Sequence, residues 1–258
     1  HDKNKKQLIY DHAVLHIYDF PIFYYPKFFH PDPTVKRQSG FLQPRISNSR
    51  ILGSSIYLPY YKVIDIDKDY TFKPTFFDKD IVMLQNEYRE VRKNSNIEID
   101  FAYVDGFKSS ITNTRKSINH LFTKFNLDLN FDNFLTSKID LNIERVNNDN
   151  YLKIFDNSLS ETNLKPEDTN NLVNEVKLYL SNEEFVFDLG FKSFENLQLG
   201  NSDRYQYILP YYNFSKNLSQ DFFNGSLLFK SKGNNNLKNT NNLRSSIIND
   251  INYSGKER

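Results

Sequence analysis

The stretch of this chain that decides the fold is residues 20–61, which read FPIFYYPKFFHPDPTVKRQSGFLQPRISNSRILGSSIYLPYY. It combines several prolines, two glycines, the basic pair Lys36-Arg37 and aromatic doublets such as Tyr60-Tyr61 in a fixed order. Alternation of polar and apolar residues is enough to make a strand, and it does not require this order. The stretch is therefore the most specific signal in the sequence.

Outward from this stretch, the chain alternates between apolar and polar residues with a period of two. Residues 121–130 and 138–145 show it most clearly. A strand points successive side chains to opposite faces, so each such segment has one apolar and one hydrophilic face. Counting from Gly40 predicts about twelve strands of roughly 8–12 residues, a length with which a tilted strand crosses a bilayer.

The alternation predicts which side chains share a face. We expect the apolar set to point outward, toward lipid: Phe125, Leu127, Leu129, Ile139, Leu141 and Ile143. We expect the polar set to point inward: Lys124, Asp128, Lys138, Asp140 and Glu144. Periodicity alone fits a soluble sandwich as well as a membrane barrel. The many charges at polar positions and the aromatic residues near strand ends favour the barrel, whereas the absence of tryptophan does not.

Composition narrows the function classes. The 258 residues carry a formal net charge of +1, which gives no basic footprint for nucleic acid, and contain no cysteine for disulfides or thiolate metal sites. The mean hydropathy is −0.64, and no window approaches the ~20 apolar residues of a transmembrane helix. Both ends look cut, which suggests an interior part of a longer protein.

Little in the sequence indicates catalysis or a metal site. No nucleophile elbow, P-loop or paired-carboxylate motif stands out, so we expect no enzyme activity, no cofactor and no metal. The histidines lack metal-ligand spacing and are expected at the surface: His12, His16, His30 and His120. Residues 149–168 break the strand rhythm, and 150–155 within them could form a helical turn.

The residues of the deciding stretch resemble the LPS-assembly protein family, the LptD or OstA outer-membrane translocon. Its pattern is similar to "PvfYlPyf-hPd-R-SGFL-P" followed by "G-PYY". The matching positions are Pro21, Tyr24, Pro26, Arg37, Ser39, Gly40, Phe41, Leu42, Pro44, Gly53, Pro59, Tyr60 and Tyr61. Weaker similarities follow at 65–74, 84–89, 151–153 and 205–210.

The resemblance implies an all-β fold: an antiparallel transmembrane β-barrel, preceded by a periplasmic β-jellyroll. Residues 1–36 would end the jellyroll, and residues 37–258 would form the first strands of a barrel of about twenty-six strands. The implied partners are lipopolysaccharide (LPS), a plug lipoprotein of the LptE type, and an LptA-type periplasmic bridge that binds through the missing N-terminal part. The implied location is the outer membrane of a Gram-negative bacterium. Cysteine-linked maturation is not carried over, because the chain has no cysteine.

Four residues follow as candidate site residues. Pro44 and Pro59 lie inside the predicted strands 41–47 and 55–64, where a proline removes a ladder donor in any case. The resemblance implies that prolines at these positions loosen the seam through which LPS leaves the family's barrel. Lys36 and Arg37 are possible contacts for LPS phosphates, since arginine binds phosphate in a bidentate fork. Two alternatives stay open at this point: a generic outer-membrane porin or receptor, and a secreted carbohydrate-binding β-sandwich.

Overall fold

The structure is a computed structural model that describes residues 7–17, 19–31, 37–78, 80–108, 115–200, 203–222, 225–238 and 241–255. Most of these residues lie in antiparallel strands. A separate two-stranded sheet pairs β1 (Gln7–Ile17) with β2 (Phe20–Pro31). It contains the motif residues Pro21, Tyr24 and Pro26. The assignment of residues 1–36 to a jellyroll stays a prediction.

All other strands form one sheet. In chain order they are β3 (Gly40–Phe41), β4 (Arg45–Ser49), β5 (Gly53–Tyr57), β6 (Tyr60–Asp65), β7 (Lys68–Phe77), β8 (Ile81–Val91), β9 (Ser95–Lys108), β10 (Arg115–Asp128), β11 (Thr136–Val146), β12 (Asn171–Ser181), β13 (Phe185–Asn196), β14 (Tyr205–Phe222), β15 (Gly225–Lys238) and β16 (Asn242–Gly255). A short helix, α1 (Tyr151–Ile154), lies between β11 and β12 and confirms the predicted helical turn. No helix among the described residues is long and apolar enough to span a membrane.

Sequential neighbours pair throughout this sheet, from β16 at one edge to β4 at the other. The elements β3 and β4 are two halves of one strand, as are β5 and β6, because β5 and β6 both pair with β7. Over the residues that the structure describes, the sheet therefore holds twelve full strands. This confirms the all-β antiparallel prediction and its strand count. Within the described residues the sheet is open, and no second sheet packs against it as a sandwich would require.

The two faces of the sheet differ in chemistry as predicted. Directly paired residues share a face: Phe125 pairs with Leu141, and Asp128 pairs with Lys138 on the opposite side. One face, here called the apolar face, exposes large side chains from edge to edge: Ile46, Ile56, Phe76, Leu84, Phe101, Leu121, Val176, Phe191, Ile247 and Ile251. The other, here called the charged face, carries the predicted polar set. Lipid contact of the apolar face stays a prediction.

An apolar patch interrupts the charged face, and the chain between β11 and β12 covers it. We call residues 147–170 the inner segment. Its buried residues include Tyr151, Leu152, Phe155, Leu159, Thr162 and Leu164. All of these except Thr162 form one cluster with side chains that β7 to β10 contribute to the charged face: Phe77, Ile81, Met83, Ala102, Val104, Ile118 and Phe122. The main buried core of the molecule is thus the contact between the inner segment and these four strands.

This arrangement predicts that substitutions at two neighbouring residues lower the stability of the protein to different degrees. Phe122 is fully buried beneath the inner segment, and Leu121 is 36% exposed on the apolar face. In the full-length protein, Phe122→Ala is expected to lower the free energy of unfolding by about 3–5 kcal/mol, because it leaves a cavity. Leu121→Ala is the matched control and should cause a clearly smaller loss. Denaturant unfolding followed by circular dichroism measures both; equal losses would contradict the packing described.

Candidate functional site

The ladder between the first two strands of the large sheet contains a gap at two prolines. We call residues 40–65 the first hairpin. Phe41 pairs with Tyr60 and Arg45 pairs with Tyr57, so three residues of one strand (42–44) face two of the other (58–59). This is a β-bulge in the first strand. Pro44 and Pro59 both lie in the gap, not inside continuous strands as the sequence analysis predicted, because the bulge and the missing donors end the ladder there.

The next ladder, between the second and third strands, keeps one register across the same level. Tyr57 pairs with Thr75, and Tyr60 pairs with Phe72, so two residues separate the pairs on each side. The shift in register at this level is thus a property of the first hairpin. Because the first strand has one extra residue here, odd-numbered Phe41 before the bulge and even-numbered Ile46 after it lie on the same face. This is the apolar face, where both side chains are about four-fifths exposed (80% and 79%).

Two residue pairs at this level make one backbone hydrogen bond where an antiparallel ladder would make two. The Leu42 N–H donates to the Pro59 carbonyl at 2.9 Å, and the Leu58 N–H donates to the Pro74 carbonyl at 3.1 Å. A hydrogen-bonded antiparallel pair normally exchanges both bonds, but proline has no N–H to return. The ladder is therefore weakened across three adjacent strands, most of all in the first hairpin.

Before the gap, Arg37 and Ser39 tie the start of the first strand to its neighbours. The Arg37 guanidinium donates to the Tyr61 hydroxyl at 2.9 Å and to the Ile66 carbonyl at 2.8 Å, and it forms an ion pair with Asp69. The Ser39 hydroxyl accepts the Val63 N–H at 2.9 Å. These contacts account for two motif residues by structure alone. The predicted phosphate contact of Arg37 stays a prediction, with three of its five N–H donors engaged in these contacts. Lys36 lies outside the described residues.

The motif residue Gly53 begins the second strand in a conformation that suits glycine. Its φ is +78°, and a Cβ added to it would lie 1.9 Å from the Asp78 carboxylate. That carboxylate accepts the Ser54 N–H at 2.9 Å, and the Asp78 N–H donates to the Ser54 carbonyl at 2.9 Å. Gly53 thus lets the turn between the third and fourth strands close onto the first hairpin.

Beyond the gap, the first hairpin contacts the inner segment. The Arg45 guanidinium donates to the Glu161 carboxylate at 2.7 Å, and the Tyr57 hydroxyl donates to the same carboxylate at 3.1 Å. Arg45 also lies 5.1 Å from the centre of the Tyr57 ring. Leu52, in the turn between β4 and β5, is 2% exposed and belongs to the buried cluster of the inner segment. Sequence analysis did not single out Glu161.

A buried polar network lies beneath the inner segment. The Asp100 carboxylate accepts from Gln85 Nε2 at 2.8 Å and from His120 Nε2 at 3.1 Å, and the Tyr151 hydroxyl lies 2.7 Å from His120 Nδ1. His120 is 1% exposed, so its predicted surface position is wrong. It is satisfied by its two partners and stacks on the Phe122 ring with centres 4.2 Å apart. Burial raises the pKa of the Tyr151 hydroxyl well above its ordinary value, and the Asp100 carboxylate raises it further.

This network resembles a catalytic triad in composition but is closed to substrates. Asp100, His120 and Tyr151 are all at most 1% exposed, and apolar side chains surround them. The bonds satisfy groups that would otherwise be costly to bury, which makes the network an anchor for the inner segment. Among the residues the structure describes, no group of three or more His, Asp or Glu side chains could hold a metal ion.

A sequence signal for the buried patch did exist. Residues 81–84 read IVML, residues 101–104 read FAYV, and Leu121 is followed by Phe122, so both faces of these strands are apolar over a short run. Strands that are buried on both faces show such runs. Because the runs lie on three consecutive strands, they indicate one shared cover over the charged face.

The comparisons with known proteins agree on one family. No family model matches the chain. Curated relatives named LPS-assembly protein LptD do: the one from Pseudoalteromonas atlantica is 33% identical over 101 residues, 39% of this chain. The one from Nitrosomonas eutropha is 28% identical over 180 residues (68% of this chain), and the one from Pseudomonas fluorescens is 24% identical over 225 residues (86%).

These matches support membership of the LPS-assembly protein LptD family. The matches span 13%, 23% and 22% of these three LptD proteins, so the chain corresponds to less than a quarter of each. Apart from Gly53, the motif residues of the first hairpin lie around the gap, and each half of the hairpin has its own polar contacts.

Alanine substitutions at the two motif glycines of the first hairpin are expected to differ in their effect on stability. Gly53→Ala in the full-length protein should destabilise the sheet by at least about 1–2 kcal/mol, because a Cβ is strained at positive φ; the overlap with Asp78 adds to this. Gly40→Ala is the matched control, since a Cβ there meets nothing within 4 Å. Denaturant unfolding of both variants checks this. A Gly40 variant as unstable as the Gly53 variant would refute the explanation.

Proposed function

We propose that this chain is part of an outer-membrane barrel that inserts LPS into the outer leaflet by opening sideways. The observation that carries the proposal is the gap in the ladder of the first hairpin. A lateral exit needs a seam that parts more easily than the rest of the wall. In the described residues, the first strand lies at the edge of the sheet, beside a ladder that lacks a donor at Pro59, and the next ladder lacks one at Pro74.

The two faces of the sheet support the membrane part of the proposal. An exposed apolar face and a charged opposite face suit a barrel wall with lipid outside and water inside. The charges of the inner side are largely paired: Lys177 lies 3.0 Å from Asp188, and Lys192 lies 3.1 Å from Glu175. On this proposal the protein resides in the outer membrane of a Gram-negative bacterium, and residues 37–258 form the first strands of the barrel.

The names of the matched relatives support the cargo. The matched relatives are named LPS-assembly proteins, which supports LPS as the transported molecule. We extend the proposal to a plug lipoprotein of the LptE type inside the barrel and an LptA-type bridge on the periplasmic side. Residues 1–36 are then the end of the periplasmic jellyroll. LPS phosphates are proposed to contact Lys36 and Arg37 at its junction with the barrel.

Depletion of the full-length protein in its own bacterium tests the function. The amount of LPS at the cell surface should fall, while LPS made inside the cell accumulates. As a control, the amounts of unrelated outer-membrane barrels are measured, and they should stay unchanged. A porin would give the opposite pattern: uptake of small solutes would fall with surface LPS unchanged, and that result would overturn the proposal.

The gap predicts that a restored backbone donor slows delivery. Pro59→Ala in the full-length protein supplies an N–H that the Leu42 carbonyl can accept, which adds about 0.5–1.5 kcal/mol of ladder stability. Surface LPS should then appear more slowly at unchanged barrel abundance, and the double variant with Pro44→Ala should be slower still. The measurement is the rate at which newly made LPS reaches the surface, with sensitivity to large antibiotics as a second readout.

Pro74→Ala is the matched control for this prediction. It restores a donor at the same level but between the second and third strands, outside the first hairpin. Its effect on LPS delivery should be smaller than that of Pro59→Ala. If the Pro59 variants deliver LPS at the normal rate, or if Pro74→Ala has an equal effect, the prolines only interrupt the strands and are not part of the exit.

A further inference from the structure

The inner segment makes a contact that the proposed function does not explain. Its Glu161 carboxylate binds both strands of the first hairpin at once, through Arg45 on one strand and Tyr57 on the other. These two residues are direct cross-strand partners, and they are the first such pair beyond the proline gap. One carboxylate therefore closes the hairpin at the place where its ladder resumes.

Glu161 is held in position by its neighbours along the chain. Leu159 is fully buried, Leu164 is 4% exposed, and Thr162 is 8% exposed. Glu161 itself is about half exposed (48%) and points away from this anchor to the first hairpin. The carboxylate is thus presented by a segment that is packed on β7–β10 and is not a free loop.

A second contact links the same parts. Leu52 lies in the turn that joins β4 and β5, and its side chain is buried in the cluster that the inner segment forms with the strands. The half of the first hairpin beyond the gap, β4 and β5, is therefore attached to the inner segment by the apolar contact of Leu52 and by the Glu161 carboxylate, which binds Arg45 and Tyr57. The half before the gap, β3 and β6, is held separately, by the contacts of Arg37 with Tyr61 and with Asp69 of β7.

We infer that Glu161 is a positioning residue that holds β4 and β5 against the inner segment and so keeps the proline gap closed when no LPS passes. This inference rests on the proposed function, because it assigns the contact to control of the same seam. The ion pair is the reversible part of the attachment: exposed pairs contribute little individually and can break and re-form. When Glu161 lets go of Arg45 and Tyr57, β4 and β5 both lose this contact with the inner segment, while Leu52 keeps the turn between them in place.

The test uses the full-length protein in bilayer nanodiscs and compares three variants by hydrogen exchange of the backbone amides of residues 45–57. Glu161→Gln keeps the shape of the side chain and removes its charge. The matched control is Asp149→Asn, which removes the 2.7 Å ion pair to Arg204 from the same segment without touching the first hairpin. The third variant exchanges the charges, with Arg45→Glu and Glu161→Arg in one protein.

Amide exchange in residues 45–57 should become about two- to fivefold faster in the Glu161→Gln protein, the range expected for loss of an exposed pair. It should be unchanged in the Asp149→Asn protein and should return toward the normal rate in the charge exchange. In cells, Glu161→Gln should also increase the entry of a large hydrophilic antibiotic at normal barrel abundance.

Three results would overturn the inference: unchanged exchange in Glu161→Gln, equally faster exchange in Asp149→Asn, or faster exchange without any change in antibiotic entry. The exchange measurement needs no LPS, so it stands or fails independently of the proposed function. If depletion leaves surface LPS unchanged while Glu161→Gln still loosens residues 45–57, it is the transport proposal that fails.

Discussion

The structure depends on backbone hydrogen bonding between neighbouring strands, and the first hairpin is where that bonding is incomplete. Proline cannot donate, so Pro59 leaves its pair with Leu42 at a single bond. The chain on either side of the gap is fixed by side chains instead. Arg37, Tyr61 and Asp69 hold the part before it, and Glu161 holds the part after it. A strand with a weak centre and two fixed ends can bend at one defined place.

Much of the sheet follows from the sequence. A period of two reports which side chains share a face, and this holds for Phe125 and Leu141 as for Asp128 and Lys138. The prolines at 44 and 59 mark missing donors, which is a local property, so the place of the weak ladder could be predicted. The sequence could not predict that the strand halves end at these prolines, because the one-residue bulge depends on how the two strands align.

The inner segment shows where sequence reasoning fails. Its contact between Arg45 and Glu161 joins residues 116 positions apart, and no periodic pattern reports a pairing at that distance. His120 was misplaced for the same reason: its strand alternates correctly, but the side expected to face water is covered by residues 147–170. The usable signal was the double-sided apolar runs of β8, β9 and β10, which need a cover on both faces.

The inner segment also bears on the order in which the sheet is completed. The carboxylate that steadies β4 and β5 lies more than a hundred residues further along the chain, after β11, on a segment whose Leu159 and Leu164 share a buried cluster with side chains of β7–β10. The first strand of this sheet is thus secured only after seven strands of the sheet have been made. Until then β4 is held only by its pairing with β5. The edge of the sheet can therefore still adjust while the neighbouring strands form.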